Sequence, residues 1–145
     1  MTSQAYKYLA FFVDPETANI ADMHRKFGFT LNLYPTTLRS QLLRDRYSFM
    51  KEELAEFYTA MEKYDYEGMV DALIDLVYVA KGTAVMMGFQ WGLHFQEVHG
   101  ANMKKERGHN PARPEQEEDL IKPEGWKPPN HTAILTHTIT QTQEN

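Results

Sequence analysis

Two short stretches carry more carboxylate than a helical core tolerates without a reason. Residues 52–56 read EELAE, bringing Glu52, Glu53 and Glu56 together. Residues 71–80 read DALIDLVYVA, an apolar run interrupted by Asp71 and Asp75. On helices, the two aspartates are about 40° apart and the three glutamates span an arc of about 100°. An unpaired carboxylate in apolar surroundings either costs several kcal/mol or takes up a proton, and adjacent carboxylates repel as well. A divalent cation removes both penalties, and hard oxygen ligands suit Mg2+ or Mn2+. A magnesium site of this kind grips a phosphate chain and activates water. Plainer readings exist. An EExxE run often only solvates a helix face, Asp71 suits an exposed first turn near the helix dipole, and Asp75 could pair with Arg46.

The elements that must position these groups are helices. Asp14-Pro15-Glu16 caps and opens the first, which runs to Phe27 and stops at Gly28. The second begins near Thr36 or Thr37 and continues without proline or glycine through the EELAE stretch, with Leu42, Leu43, Tyr47, Met50, Leu54, Phe57, Tyr58 and Met61 recurring at three and four. Asp65 caps the third, spanning about 67–87. Its apolar residues lie nearly all round, which predicts burial and sets Asp71 and Asp75 toward the interior or a cleft. A short turn makes the second and third helices antiparallel neighbours, so their acidic stripes can face each other. The fourth runs from about Leu93 to Arg107 and ends at Gly108. Its His99, Asn102 and Lys105 share one face.

Strand signals are scarce. The expected architecture is all-α, an antiparallel helix bundle completed by oligomerisation. One catalytic domain covers residues 1–130, with core helices over about 37–107 and a proline-bearing segment at 108–130. A threonine-rich tail, 131–145, reads as flexible, although its alternation TAILTHTIT could pair at a sheet edge.

Composition narrows the function. The 145 residues are 42% hydrophobic and 24% charged, with a formal net charge of −5. No basic excess exists for coating nucleic acid by charge. The absence of cysteine excludes disulfides, thiolate zinc sites and cysteine nucleophiles. MTSQAYKYLAFFVDPE lacks the charged region and long apolar stretch of a signal peptide. Asp71, Asp75 and Lys81 interrupt the longest apolar region, which argues against a membrane span. A cytoplasmic protein is expected, without nucleic-acid or membrane partners.

EELAE on one helix and DALIDLVYVAKGTA on the next resemble the all-α nucleoside triphosphate pyrophosphohydrolases, the superfamily of MazG, the dimeric dUTPases and phosphoribosyl-ATP pyrophosphohydrolase. The compact MazG-like proteins often encoded by phages look most similar. The likeness spans about residues 20–129, from ADMHRKFGF to GWKPP, and includes EVHGANMKKERG. The superfamily signature is EExxE followed by ExxD. Glu52, Glu53, Glu56 and Asp75 match it, whereas Ala72 stands where the last glutamate belongs and Asp71 is the expected substitute.

The resemblance implies cleavage of a nucleoside triphosphate between its α- and β-phosphates, giving a monophosphate and pyrophosphate. It implies two to three Mg2+ (or Mn2+) ions held by Glu53, Glu56, Asp71 and Asp75. Glu52 or Glu53 takes the proton of the attacking water. Asn102 and Lys105 match residues that contact sugar and phosphates. His24 and Lys26 are expected to flank the nucleotide, and Lys122 and Trp126 to belong to a closing lid. A purine substrate such as dGTP or GTP is expected, with phosphoribosyl-ATP as the alternative, and a homodimer or homotetramer as the assembly. Ala72 also admits a nucleotide- or metal-binding regulator without turnover. A structural helical protein, such as a phage-particle component, is a third reading.

Overall fold

The computed structural model describes residues 14–136. It is all-α apart from one minimal ribbon. The N-terminal stretch read against a signal peptide and the last part of the threonine-rich tail lie outside the described residues.

Among the described residues the elements follow in the order α1 (Pro15–Phe27), α2 (Ser40–Glu62), α3 (Tyr66–Met87) and α4 (Trp91–Asn102), then strands β1 (Glu106–Arg107) and β2 (Leu120–Ile121). The chain divides into two compact units, Met1–Trp91 and Gly92–Asn145.

In the first unit, α1 and α2 both pack on α3. Asp14 caps α1 by accepting from the Thr17 amide at 3.0 Å, and Gly28 ends it in the left-handed conformation, φ 68°. The buried Lys81 of α3 reaches back to α1, donating to Asp14 Oδ1 at 2.8 Å and Glu16 Oε2 at 2.5 Å. The core gathers Ile20, Ala72, Ala84, Val85 and Met86. Residues 28–39 serve the carbonyl end of α3, whose last groups lack partners within the helix. Asn32 N donates to Val85 O, Asn32 Nδ2 to Met86 O, and Thr36 N to Met87 O. These bonds hold the chain extended while Leu38 is buried. Helix α2 consequently starts at Ser40 rather than at Thr36 or Thr37, with Arg39 as a cap that makes no side-chain bond. Gly88, φ 75°, closes α3 where any Cβ would stand 2.1 Å from Tyr34 O.

The expected all-round burial of α3 is not observed. Val70, Leu73, Ile74, Val77 and Tyr78 are exposed on it, as are Leu54 and Tyr58 on α2. One chain covers a single side of α3, so Asp71 and Asp75 face solvent instead of a closed interior. No single helix among the described residues is long and apolar enough to cross a membrane.

In the second unit, α4 ends at Asn102, five residues before the expected Arg107. The Ala101 carbonyl accepts from the Trp126 indole at 2.8 Å, and residues 106–107 leave the helix to pair antiparallel with 120–121. A ladder partner distant in sequence outweighs local helical preference here. Residues 131–136 are helical, against the expected flexible or strand-like tail. Asn130 caps them through Ala133 N, and its own amide donates to Glu97 of α4. His94 and His131 add a bond between their Nδ1 atoms at 2.8 Å.

Candidate active site

The α2–α3 hairpin sets the site. Tyr64 takes a left-handed backbone, φ 54°, in the connecting turn, and Asp65 caps α3 by accepting from Gly68 N at 3.0 Å. Two close approaches fix the register of the helices. A Cβ at Gly68 would stand 3.1 Å from Ala60 Cβ, and one at Gly82 would stand 3.1 Å from the Arg46 guanidinium. Glu53 is seven residues from both Ala60 and Arg46, and Asp75 is seven from both Gly68 and Gly82. Seven residues are close to two full turns. Glu53 and Asp75 therefore lie at the same level on the two helices, midway between two fixed contacts, with Glu53 half-buried and Asp75 exposed.

Around Glu53 the chain gathers five carboxylates. Burial raises the Glu53 pKa above the usual carboxylate range, and the charges of Glu56, Asp75, Glu52 and Asp71 push it further, in that order of strength. Its Oε2 is shielded from solvent and lacks a hydrogen-bond partner. None of the five forms an ion pair among the described residues. Arg46, the suggested partner of Asp75, instead donates to Thr83 Oγ1 at 3.1 Å and to Val79 O at 2.8 Å. Hard anionic oxygens around an orphaned acceptor are the donor set a divalent cation requires. As placed, no three acidic or histidine side chains among the described residues form a ready coordination group.

Asp71 is the weakest contributor. Ala72, where the superfamily signature has glutamate, is 2% exposed on the packed side of α3. Asp71 is exposed, one residue and about 100° round the helix. Asp71, the expected substitute for that glutamate, therefore does not share the packed face of position 72.

The remaining expected residues separate by placement. His24 is 1% exposed, with Nδ1 2.8 Å from Thr30 O and its ring edge-on to Phe29. It orders the turn after α1 and does not present itself to a nucleotide. Lys26 is exposed, its ammonium 5.2 Å from the Phe27 ring centre. Asn102 is the exposed last residue of α4, and Lys105 lies beyond the helix, so the shared helical face of His99, Asn102 and Lys105 breaks at its final member. Lys105 and Lys122 both hold their ammonium groups over Trp126, at 5.4 and 4.7 Å from the ring centre. The sequence sets Lys105 on the fourth helix and Lys122 with Trp126 in a separate closing segment, so this convergence on one ring is not legible there.

A cavity of about 90 Å³ lies elsewhere, between α1, residues 31–33 and the end of α3. It contains none of the five carboxylates.

A protein-family model described as phosphoribosyl-ATP pyrophosphohydrolase matches residues 20–102. The chain belongs to this family. The phosphoribosyl-ATP pyrophosphohydrolase match covers both acidic stretches and ends at Asn102, leaving Lys105, Lys122 and Trp126 outside it. Membership places the chain among the MazG-like all-α nucleotide pyrophosphohydrolases, a class of hydrolases. No curated protein sequence matches the chain.

Proposed function

We propose that the chain hydrolyses a purine nucleoside triphosphate between its α- and β-phosphates, releasing pyrophosphate and a monophosphate, with Mg2+ or Mn2+ as cofactor. The observation that carries this reading is Glu53, whose shielded, unpartnered oxygen stands among four other carboxylates. Glu53, Glu56 and Asp75 are the principal ligands, with Asp71 at the edge of the set. Such ions neutralise charge developing on the phosphates and lower the pKa of bound water. Glu52, exposed one residue from Glu53, accepts the water proton. Asn102 and Lys105 orient the sugar and phosphates, and Lys122 with Trp126 contributes from the segment after the ribbon. Lys26 borders the nucleotide. Alanine at position 72 favours one or two ions over three, because no carboxylate enters from the packed side of α3.

Phosphoribosyl-ATP is a second reading, favoured by the family match. It presents the same purine-linked triphosphate to the same carboxylates. A homodimer or homotetramer covers the exposed apolar side of α2 and α3.

Pyrophosphate release, measured with Mg2+ across the eight common nucleotides and phosphoribosyl-ATP, tests the proposal. Release from at least one purine triphosphate, lost in Glu53→Gln, supports it. No release from any of them, or an undiminished Glu53→Gln variant, contradicts it.

A further inference from the structure

The second unit holds an imidazole pair for which the proposed hydrolysis has no use. His94 lies in the first turn of α4 and His131 opens the 131–136 helix, with their Nδ1 atoms 2.8 Å apart. The ring centres are 5.0 Å apart and the ring planes are inclined by 35°. One Nδ1 donates its proton and the other accepts it, so the contact requires at least one unprotonated ring.

The pair is held from the backbone outward. Pro128 and Pro129 stiffen the approach to Asn130. Asn130 N donates to Glu97 Oε1 at 2.9 Å, and Asn130 Oδ1 caps the 131–136 helix by accepting from Ala133 N at 3.1 Å. Glu97 follows His94 by three residues, on the same side of α4. The chain is thus anchored to α4 at the residue just before His131.

Imidazole nitrogen suits copper, nickel and zinc, whereas Mg2+ prefers oxygen. Two nitrogens 2.8 Å apart subtend roughly a right angle at an ion bonded to each at about 2.0–2.1 Å. A tetrahedral ion with the same bonds would hold them about 3.3 Å apart. A right angle is the angle between neighbouring ligands in a tetragonal Ni2+ or Cu2+ site.

We propose that His94 and His131 form a two-imidazole site for Ni2+ or Cu2+ that staples residues 131–136 to α4. No third acidic or histidine side chain makes a group of three with them among the described residues, so the other positions fall to water. The ion replaces the shared proton, which moves to Nε2 of the ring that carried it. Each Nδ1 then gives a lone pair, and no net proton leaves the neutral pair. The site uses none of the α2 and α3 carboxylates and does not rest on the pyrophosphohydrolase reading.

The test is calorimetric titration of the tag-free full chain with Ni2+, in buffer holding excess Mg2+ to saturate oxygen ligands. One saturable site is expected, at least about tenfold weaker in His94→Gln and in His131→Gln, since losing a ligand costs no less than losing its supporting residue. His99→Gln, altered on the same helix, binds as the parent. Electron paramagnetic resonance of the Cu2+-loaded parent shows coupling to two imidazole nitrogens. His131 is exposed, so His131→Gln removes a ligand without opening a core, and thermal melts in EDTA confirm that each variant is folded. Parent-like Ni2+ affinity in either of the His94 and His131 variants, equal loss in His99→Gln, or no saturable binding by the parent overturns the site and leaves the histidines as a packing contact.

Discussion

Glu53 and Asp75 stand at one level of the α2–α3 hairpin, each seven residues from the Ala60–Gly68 contact and seven from the Arg46–Gly82 contact, and the Asp75 charge raises the Glu53 pKa. The spacing makes the acidic pair a product of helix packing rather than of side-chain reach. Small residues near the turn and an arginine lying over Gly82 bring the helices close. The carboxylates between them are then held near one another without a cation of the chain's own.

Repulsion within that cluster gives a stability prediction. Glu53 has a raised pKa, so the folded state binds its proton more tightly than the unfolded state does. Stability is therefore gained as pH falls through the raised value and lost as pH rises above it. In metal-free buffer at neutral pH, Glu53→Gln should melt about 2–4 °C above the parent. Saturating Mg2+ should reverse the order, because the parent gains more binding free energy than the variant, about 2.7 kcal/mol at a hundredfold excess over its own Kd. Differential scanning calorimetry with and without EDTA reads both effects.

The register itself can be broken. A Cβ at Gly68 would stand 2.6 Å from Asp65 Oδ2 and 3.1 Å from Ala60 Cβ. Gly68→Val should cost about 2 kcal/mol or more through the displaced cap and the separated helices. Metal-dependent stabilisation should weaken with it. A chemical-denaturation midpoint and a Mn2+ titration check the two parts.

Lys81 ties α3 to the start of α1. Burial alone would lower its pKa, but the bonds to Asp14 and Glu16 outweigh this and raise it. Burial alone would raise that of Asp14, and the bonds from Lys81 and Thr17 lower it. The clamp is thus intact at neutral pH. It is lost as pH falls through the depressed Asp14 value or rises through the elevated Lys81 value. Glu16 is largely exposed, so its share is discounted. Lys81→Met should destabilise the neutral protein by about 1–2 kcal/mol, measured by urea unfolding, with the deficit shrinking at both pH extremes.

The boundaries of α1 and α3 were legible in the sequence because their signals are local: Asp14 with Pro15, Gly28, Asp65 and Gly88 each act within a turn of the residue they terminate. The start of α2 and the end of α4 were not. Bonds from the 28–39 segment to the end of α3, and a strand partner at 120–121, decide them from a distance. The two acidic stripes were readable from helical spacing. Their exposure was not, because periodicity shows that a face is apolar without showing what covers it. His24 went astray for a related reason, since its residue type suits ligand contact and its burial emerges only in the packing of α1 on α3. A usable signal was present in Gly68, Asp75 and Gly82, spaced by seven on one helix.

The uncovered apolar side carries its own prediction. Ile74 is 62% exposed among Leu73, Val77 and Tyr78. A second subunit seated there would be sensitive to a charge at its centre. Light scattering coupled to size exclusion should show an oligomer for the parent and a folded monomer for Ile74→Lys.

The central claim is that oxygens from both helices share a divalent cation, and calorimetric titration of the metal-free protein with Mn2+ tests it most directly. The account predicts saturable binding that weakens at least about tenfold in Glu53→Gln and, independently, in Asp75→Asn. Equal Mn2+ affinity in the parent and both variants would contradict it.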